Sequence, residues 1–198
     1  GVGGAEVQLQ TLLDGLSKKN FDILLVSVGY LDLLSVSNQI GYKKIVFNQN
    51  MRAWLYVSRC FELIRTIWKF SPDVILGWMY VGNIFAAFAK CFSPTANIFL
   101  GIRASNMDNK RYRIQKIINK VLSFLAHGVI YNSNEGRIHH QSIGYNTKCS
   151  SVIPNSVDLK KYSQNRDKRL ALRRSLGIEI SQKVLFYPAR VDPMKTTT

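Results

Sequence analysis

Residues 72–102 read PDVILGWMYVGNIFAAFAKCFSPTANIFLGI. Val74–Trp78 is a short continuous apolar run, as expected of a strand covered on both faces. Gly82–Lys90 reads as a helix, Pro94 bars its continuation, and Asn97–Ile102 is a second apolar run. Strand, helix and strand in so short a span form the unit from which parallel sheets are built. Val74–Ala89 is 16 residues long, carries Asn83 and runs into Lys90. A bilayer span needs about 20 apolar residues, so this stretch reads as buried strand and helix.

The same alternation extends in both directions. Toward the N-terminus, Gly4–Lys19 reads as a helix, with Val7, Leu9, Leu12, Leu13 and Leu16 on one face. Phe21–Val28 is the next strand and Ile45–Phe47 a short one; Arg52–Phe70 is a helix ended by Ser71-Pro72. Toward the C-terminus come an amphipathic helix at Lys110–Leu125, a strand at Gly128–Asn132, a helix at Asn134–Ile143 capped by Gly144, and a strand at Ser151–Ile153. The expected fold is a doubly wound parallel sheet, Rossmann-like, over residues 1–155. Residues 156–165 are polar and read as a linker. Residues 166–198 open a second unit, with a helix at Arg166–Leu176, Gly177 after it, and a strand at Val184–Tyr187. A glycine loop that opens a helix normally follows a strand, and none stands before Gly1, so the N-terminus reads as trimmed.

Composition narrows the functional classes. The chain has 198 residues, 46% of them apolar, enough for one α/β core and the start of another. Cys60, Cys91 and Cys149 are scattered, with neither a disulfide framework nor zinc-site spacing. Basic residues outnumber acidic ones 27 to 12, a formal charge of +15, which favours polyanions: nucleic acid, anionic lipid or phosphorylated ligands. The densest runs are Lys110–Arg113 and Arg166–Arg174, which read equally as solvated helix faces. No helix-turn-helix, zinc-finger or RNP pattern accompanies the charge.

A few residues stand where chemistry is expected. Gly3 and Gly4 precede the first helix, where backbone N–H groups and the helix dipole suit a phosphate. An ordinary strand-to-helix turn has the same spacing. Arg190 and Lys195 follow the last strand, and the loops beyond strand ends are where open parallel sheets bind ligands. They would neutralise a diphosphate as a planar fork and a point charge, or be solvated cations. His139 and His140 are adjacent on a helix and cannot form an i, i+4 metal pair, and His127 ends a helix. No metal site is indicated. Ser133 has the position of an N-cap. Trp54, Phe61 and Trp68 recur at sevenfold spacing and read as a core stripe.

Four segments in order carry a family resemblance: Gly3-Gly4-Ala5-Glu6; Val152-Ile153-Pro154-Asn155-Ser156-Val157-Asp158; Leu176-Gly177-Ile178; and Ala189-Arg190-Val191-Asp192-Pro193-Met194-Lys195. Together they resemble a family 4 glycosyltransferase of the two-domain GT-B type. The family patterns are GGAE, IPNG-[IV]-D, LGI and GR-x4-K. Ser156 and Ala189 replace glycines, and the loop Gly101–Asp108 has alanine near the place of a histidine common in the family.

The resemblance implies an acceptor-binding first domain, a second domain that binds the nucleotide sugar, and transfer in the cleft between them. It implies a retaining, metal-independent reaction with no cofactor beyond the nucleotide-sugar co-substrate. Gly3, Gly4, Arg190 and Lys195 would hold the donor diphosphate. Arg103, Asp108 and Ser133 would face the cleft, Arg103 and Asp108 serving equally well to cap or bridge the neighbouring helix. The family's acidic E-x7-E segment belongs beyond Thr198. The expected setting is bacterial surface polysaccharide synthesis at the cytoplasmic face of the inner membrane, with a glycan or lipid-linked acceptor and peripheral attachment through Lys110–Arg113. A nucleic-acid-binding module and a non-catalytic sugar-nucleotide-binding domain are the alternatives.

Overall fold

The computed structural model describes residues 3–19, 21–28, 40–47, 52–103, 109–157, 159 and 162–186. The chain divides into two compact units, Gly1–Asn155 and Ser156–Thr198. The first holds α1 (Gly4–Ser17), β1 (Leu24–Ser27), β2 (Gly41–Lys44), α2 (Ala53–Phe70), β3 (Val74–Trp78), α3 (Met79–Phe92), β4 (Asn97–Ile102), α4 (Asn109–Leu125), β5 (Gly128–Tyr131), α5 (Asn134–Ser142) and β6 (Ser150–Val152). All strand pairs among the described residues are parallel. They form two sheets, β1–β2 and β3–β4–β5–β6, where one was expected.

Burial explains the layering. Ile98, Leu100 and Ile102 alternate along β4 onto one face, where Tyr80 and Ala86 of α3 and Val129 and Tyr131 of β5 meet them. On β1, Leu25 packs with Leu9 and Leu13 of α1, whereas its neighbour Val26 packs with Leu63 and Ile67 of α2 and Ala89 of α3. Successive strand residues point to opposite faces, so α1 covers one side of β1 and α2 with α3 the other. Glu62 of α2 ties this layer to β2 through Lys43 at 2.7 Å, with Arg59 at the same distance. These partners hold its carboxyl below the usual range.

Several expectations need correction. β2 is Gly41–Lys44 rather than Ile45–Phe47. The apolar signal marks only where the chain enters the core: Ile45 is fully buried, and its N–H adds one bond to Ser27 O at 2.8 Å. The strand itself is an edge carrying lysines, which discourage further pairing. α3 begins at Met79, three residues before Gly82, because β3 turns into it with no polar loop; Met79 makes the turn at φ 63°. Trp54, Phe61 and Trp68 are not core. They are 63%, 66% and 63% exposed, since the face of α2 that packs inward is the one bearing Leu63 and Ile67.

In the second unit, α6 (Arg166–Ser175) is capped by Asn165 Oδ1, which accepts from Lys168 N at 2.8 Å, and Gly177 follows at φ 66°. Arg173 is buried and donates to the carbonyls of Glu179 and Gln182. Val184–Phe186 is irregular rather than a strand, and Leu185 is 98% exposed. A strand needs a neighbouring edge to satisfy its backbone, and no strand is described in this unit. Tyr187 lies outside the described residues.

The sheet and α3 are joined by Asn83. Its Oδ1 accepts from Gly101 N at 3.1 Å, and its Nδ2 donates to Gly101 O at 3.3 Å and Asn119 Oδ1 at 2.7 Å. Asn119 in turn donates to Tyr80 O at 3.0 Å. The approach requires glycines, because a Cβ on Gly77 would lie 2.4 Å from Asn83 Oδ1 and 2.7 Å from its Cα, and one on Gly101 would lie 2.7 Å from Gly77 O. Asn83→Ala is expected to destabilise the chain by about 2–4 kcal/mol, since it strands buried partners. Gly77→Ala should be at least as damaging, because the obstructing Cα is backbone. Urea titrations of the two variants check this; a loss below about 0.5 kcal/mol, the range of surface substitutions, would refute the role given to the clamp.

Candidate functional site

The C-terminal edge of the larger sheet gathers side chains from four elements. Trp78 ends β3, and its Nε1 donates to Ala5 O in the first turn of α1 at 3.2 Å. Arg103 follows β4, with its guanidinium carbon 3.9 Å from the centroid of the Trp78 ring. Such stacking contributes about 0.5–2 kcal/mol and holds the cation in one orientation. After β5, Asn132 Nδ2 donates to Arg103 O at 3.3 Å, and Ser133 Oγ accepts from Gly136 N at 3.0 Å as the N-cap of α5.

Gly3 is the N-cap of α1 and Gly4 its first residue. No side chain caps this end, so first-turn N–H groups stand without a side-chain acceptor, and the partial positive charge there suits an anion. The placement beside the C-terminal edge of a parallel sheet is the one expected from the glycine loop.

Arg103 has two features of a binding residue. Burial lowers the pKa of its guanidinium from the usual value, although an arginine stays cationic. Its Nε is buried without a hydrogen-bond partner among the described residues, as is Oδ1 of Asn132. One unpaired donor and one unpaired acceptor on the same edge can receive a hydroxyl, which both donates and accepts. Asp108, Arg190 and Lys195 lie outside the described residues. Ser133 is engaged as a cap, so its hydroxyl is committed to the α5 backbone. Trp78 and Asn132 were not singled out from sequence. Trp78 ends β3 and Asn132 follows β5, and that position alone is the signal that marks them.

Residues 2–161 match the model of Glycosyltransferase Family 4. The chain belongs to that family. No curated relative matches its sequence. Among solved structures it is similar to Anabaena Alr3699/HepE. The complex of that protein with UDP-glucose superposes with a TM-score of 0.68 at 17% identity, covering 89% of this chain and 47% of the other. The complex with UDP and glucose gives 0.65 at 17%, covering 88% and 47%. The chain therefore spans about half the length of that protein, and the likeness is one of fold.

Behind the edge, the family 4 domain carries a buried polar core. His140 is fully buried. Its Nδ1 lies 2.7 Å from Gly136 O and its Nε2 2.7 Å from Tyr80 Oη. A carbonyl only accepts, so Nδ1 carries the proton and Nε2 accepts from the tyrosine. Burial, opposed by the Gly136 bond and aided by His139 and Lys116, brings the His140 pKa down to about 4. Burial pushes Tyr80 up to about 12, so it remains a donor at neutral pH.

The sign of the linkage follows. Above pH 6.5 the imidazole is neutral in both states, and its contribution is fully present. Between 6.5 and about 4 the unfolded chain takes up a proton that the folded chain refuses, and stability falls by roughly 3 kcal/mol in total. His140→Gln removes the titration. The stability difference between wild type and this variant, measured by denaturant titration, should shrink as pH falls from 7 to 4; a difference independent of pH would show that the native imidazole titrates normally.

Proposed function

We propose that this chain is the acceptor-side domain, with the opening of the donor-side domain, of a glycosyltransferase that moves a sugar from a nucleotide sugar to a glycan or lipid-linked acceptor. The observation that carries the reading is the family 4 match across residues 2–161. The open polar valences of Arg103 and Asn132 at the strand ends support it, as does the uncapped N-terminus of α1. Alr3699/HepE is seen with UDP and with UDP-glucose, and a uridine diphosphate sugar is the donor we assign. Residues 156–165 form the linker, and residues 166–198 begin the donor domain.

In this reaction the bond between the anomeric carbon and the diphosphate oxygen breaks, and its electron pair stays on the diphosphate. An acceptor oxygen bonds to the anomeric carbon with retention and passes its proton to the departing diphosphate oxygen. Arg190, Lys195 and the N–H groups after Gly3 and Gly4 stabilise the charge that grows on the leaving group, without a metal. Arg103, stacked on Trp78, is the acceptor contact we assign, with Asp108 a second candidate from the sequence. The setting we assign is polysaccharide synthesis at the cytoplasmic face of a bacterial membrane.

No helix among the described residues is long and apolar enough to cross a membrane. Peripheral attachment has a surface to work with. On α4, Ile114, Ile117, Val121, Phe124 and Leu125 are all exposed, next to Arg113 and Lys120, while Lys116, Asn119 and Ser123 face inward. A helix with an outward apolar stripe bordered by cations lies well in an anionic interface, where each Lys or Arg adds about 1 kcal/mol.

In the full-length enzyme with UDP-glucose, Arg190→Ala is expected to lower kcat about 100- to 1,000-fold, with Arg190→Lys rescuing in part. Arg103→Ala should chiefly raise the acceptor KM. A folded Arg190→Ala variant with wild-type kcat would remove that residue from the site. In flotation with anionic vesicles, Lys110→Gln/Arg113→Gln should weaken binding most at low salt, and Ile117→Ser/Phe124→Ser should weaken it at low and high salt alike. Absence of binding by the parent chain at either salt would sink the membrane reading.

A further inference from the structure

A guanidinium at a strand end can be held by a carboxylate or by an aromatic face, and the two holds leave different things free. A carboxylate takes N–H donors, often two at once, and cancels the charge. A ring attracts the cation through its π cloud and takes neither. Arg103 is held in the second way. Its guanidinium carbon lies 3.9 Å from the centroid of the Trp78 ring. The ion pairs among the described residues are those of Glu62 with Lys43 and Arg59. Nε of Arg103 is buried and has no hydrogen-bond partner among the described residues. A buried donor is costly to leave unpaired, so this is a position that a ligand can complete.

The ring that holds Arg103 is itself fixed by independent contacts. Trp78 is the last residue of β3 and the N-cap of α3. Its side chain packs with the cluster of Leu9, Leu13 and Ile40. Its Nε1–H donates to Ala5 O at 3.2 Å, across 73 residues of chain. That bond fixes the ring about its own side-chain torsions. A phenyl ring would offer the same kind of face without the N–H, and an aliphatic side chain would offer neither.

We propose that Trp78 is a positioning residue for the acceptor contact. Its indole holds Arg103 as an oriented cation and leaves Nε–H to be given to an acceptor hydroxyl. This role rests on the acceptor reading of Arg103 given above. Trp78 acts through Arg103 and touches no reacting atom. Loss of the ring should therefore matter only while Arg103 is present, and an aromatic replacement should restore part of what an aliphatic one loses.

The test is binding of glucose, a bare set of sugar hydroxyls, to the 198-residue chain, followed by NMR at the Arg103 Nε–H and the Asn132 side-chain amide. In the wild type both signals should move together. Trp78→Leu should weaken the apparent affinity by about fivefold, the effect of losing a partly desolvated cation–π contact, with the rest of the amide spectrum still that of the folded chain. Trp78→Phe should fall between wild type and Trp78→Leu. Arg103→Lys, followed at Asn132, should also weaken binding, and Trp78→Leu added to it should weaken binding no further. If Trp78→Leu does not fold, Trp78→Phe with and without Arg103→Lys completes the same cycle. Wild-type affinity in the Trp78 variants, or losses that add in the double variant, would overturn the proposal and leave Arg103 as the acceptor contact. Glucose that moves neither signal in the wild type would overturn the acceptor reading of Arg103, and the role of Trp78 with it.

Discussion

The amide of Asn83 is the contact on which the larger sheet depends. β3 ends by turning straight into α3, so at that point β4 loses its neighbour. Asn83 supplies an acceptor and a donor to Gly101 and takes the place of the strand that has turned away. The substitution works only if two backbones come unusually close, which is why Gly77 and Gly101 stand one register step apart on neighbouring strands, with Gly101 paired to Trp78. Asn119 extends the same amide chain to α4 and back to Tyr80. One buried polar group thus fixes the angle of α3, the depth of α4 and the exit of β3 toward the site edge. A buried amide holds such a position firmly because leaving its bonds unmade costs more than making them returns.

From that fixed exit, the site assembles by short links. Trp78 leaves the sheet at the end of β3, reaches back to Ala5 and supports Arg103 on its ring. The start of α1 and the end of β4 are therefore held by one indole. The arrangement orients a cation and a helix dipole toward the same edge without any ion pair between them.

The sequence made most of the fold legible, for physical reasons that differ by element. β3 and β4 were read to the residue because each is a continuous apolar run opened by a polar residue or a turn. α2 was read to within one residue of its start because Ser71-Pro72 stops it. α3 was placed three residues late, since the apolar run passes from strand to helix without a break. The Trp54, Phe61 and Trp68 stripe misled because regular spacing shows that residues share a face, but not which way that face points. Val184–Phe186 misled because an apolar run is a strand only where an edge awaits it. For the candidate site, glycines before a helix placed Gly3 and Gly4 at the start of α1, and Arg103 was marked as a candidate by its place after a strand. Trp78 and Asn132 were not, because an aromatic or an amide at a strand end looks like packing until its partners are known.

The strand order of the larger sheet also bears on how the chain reaches its native state. In β3–β4–β5–β6 every strand pairs with the next in sequence, so each pairing closes only a modest loop. The bond from Trp78 to Ala5 spans 73 residues, and its closure is far more costly in chain entropy. The segment from β3 to β6 is thus the natural nucleus, and α1 with β1 docks onto it afterwards. Contacts made after the rate-limiting barrier act on the rate of unfolding rather than of folding. The indole that supports the site edge is accordingly a governor of how long the folded domain lasts, more than of how fast it forms.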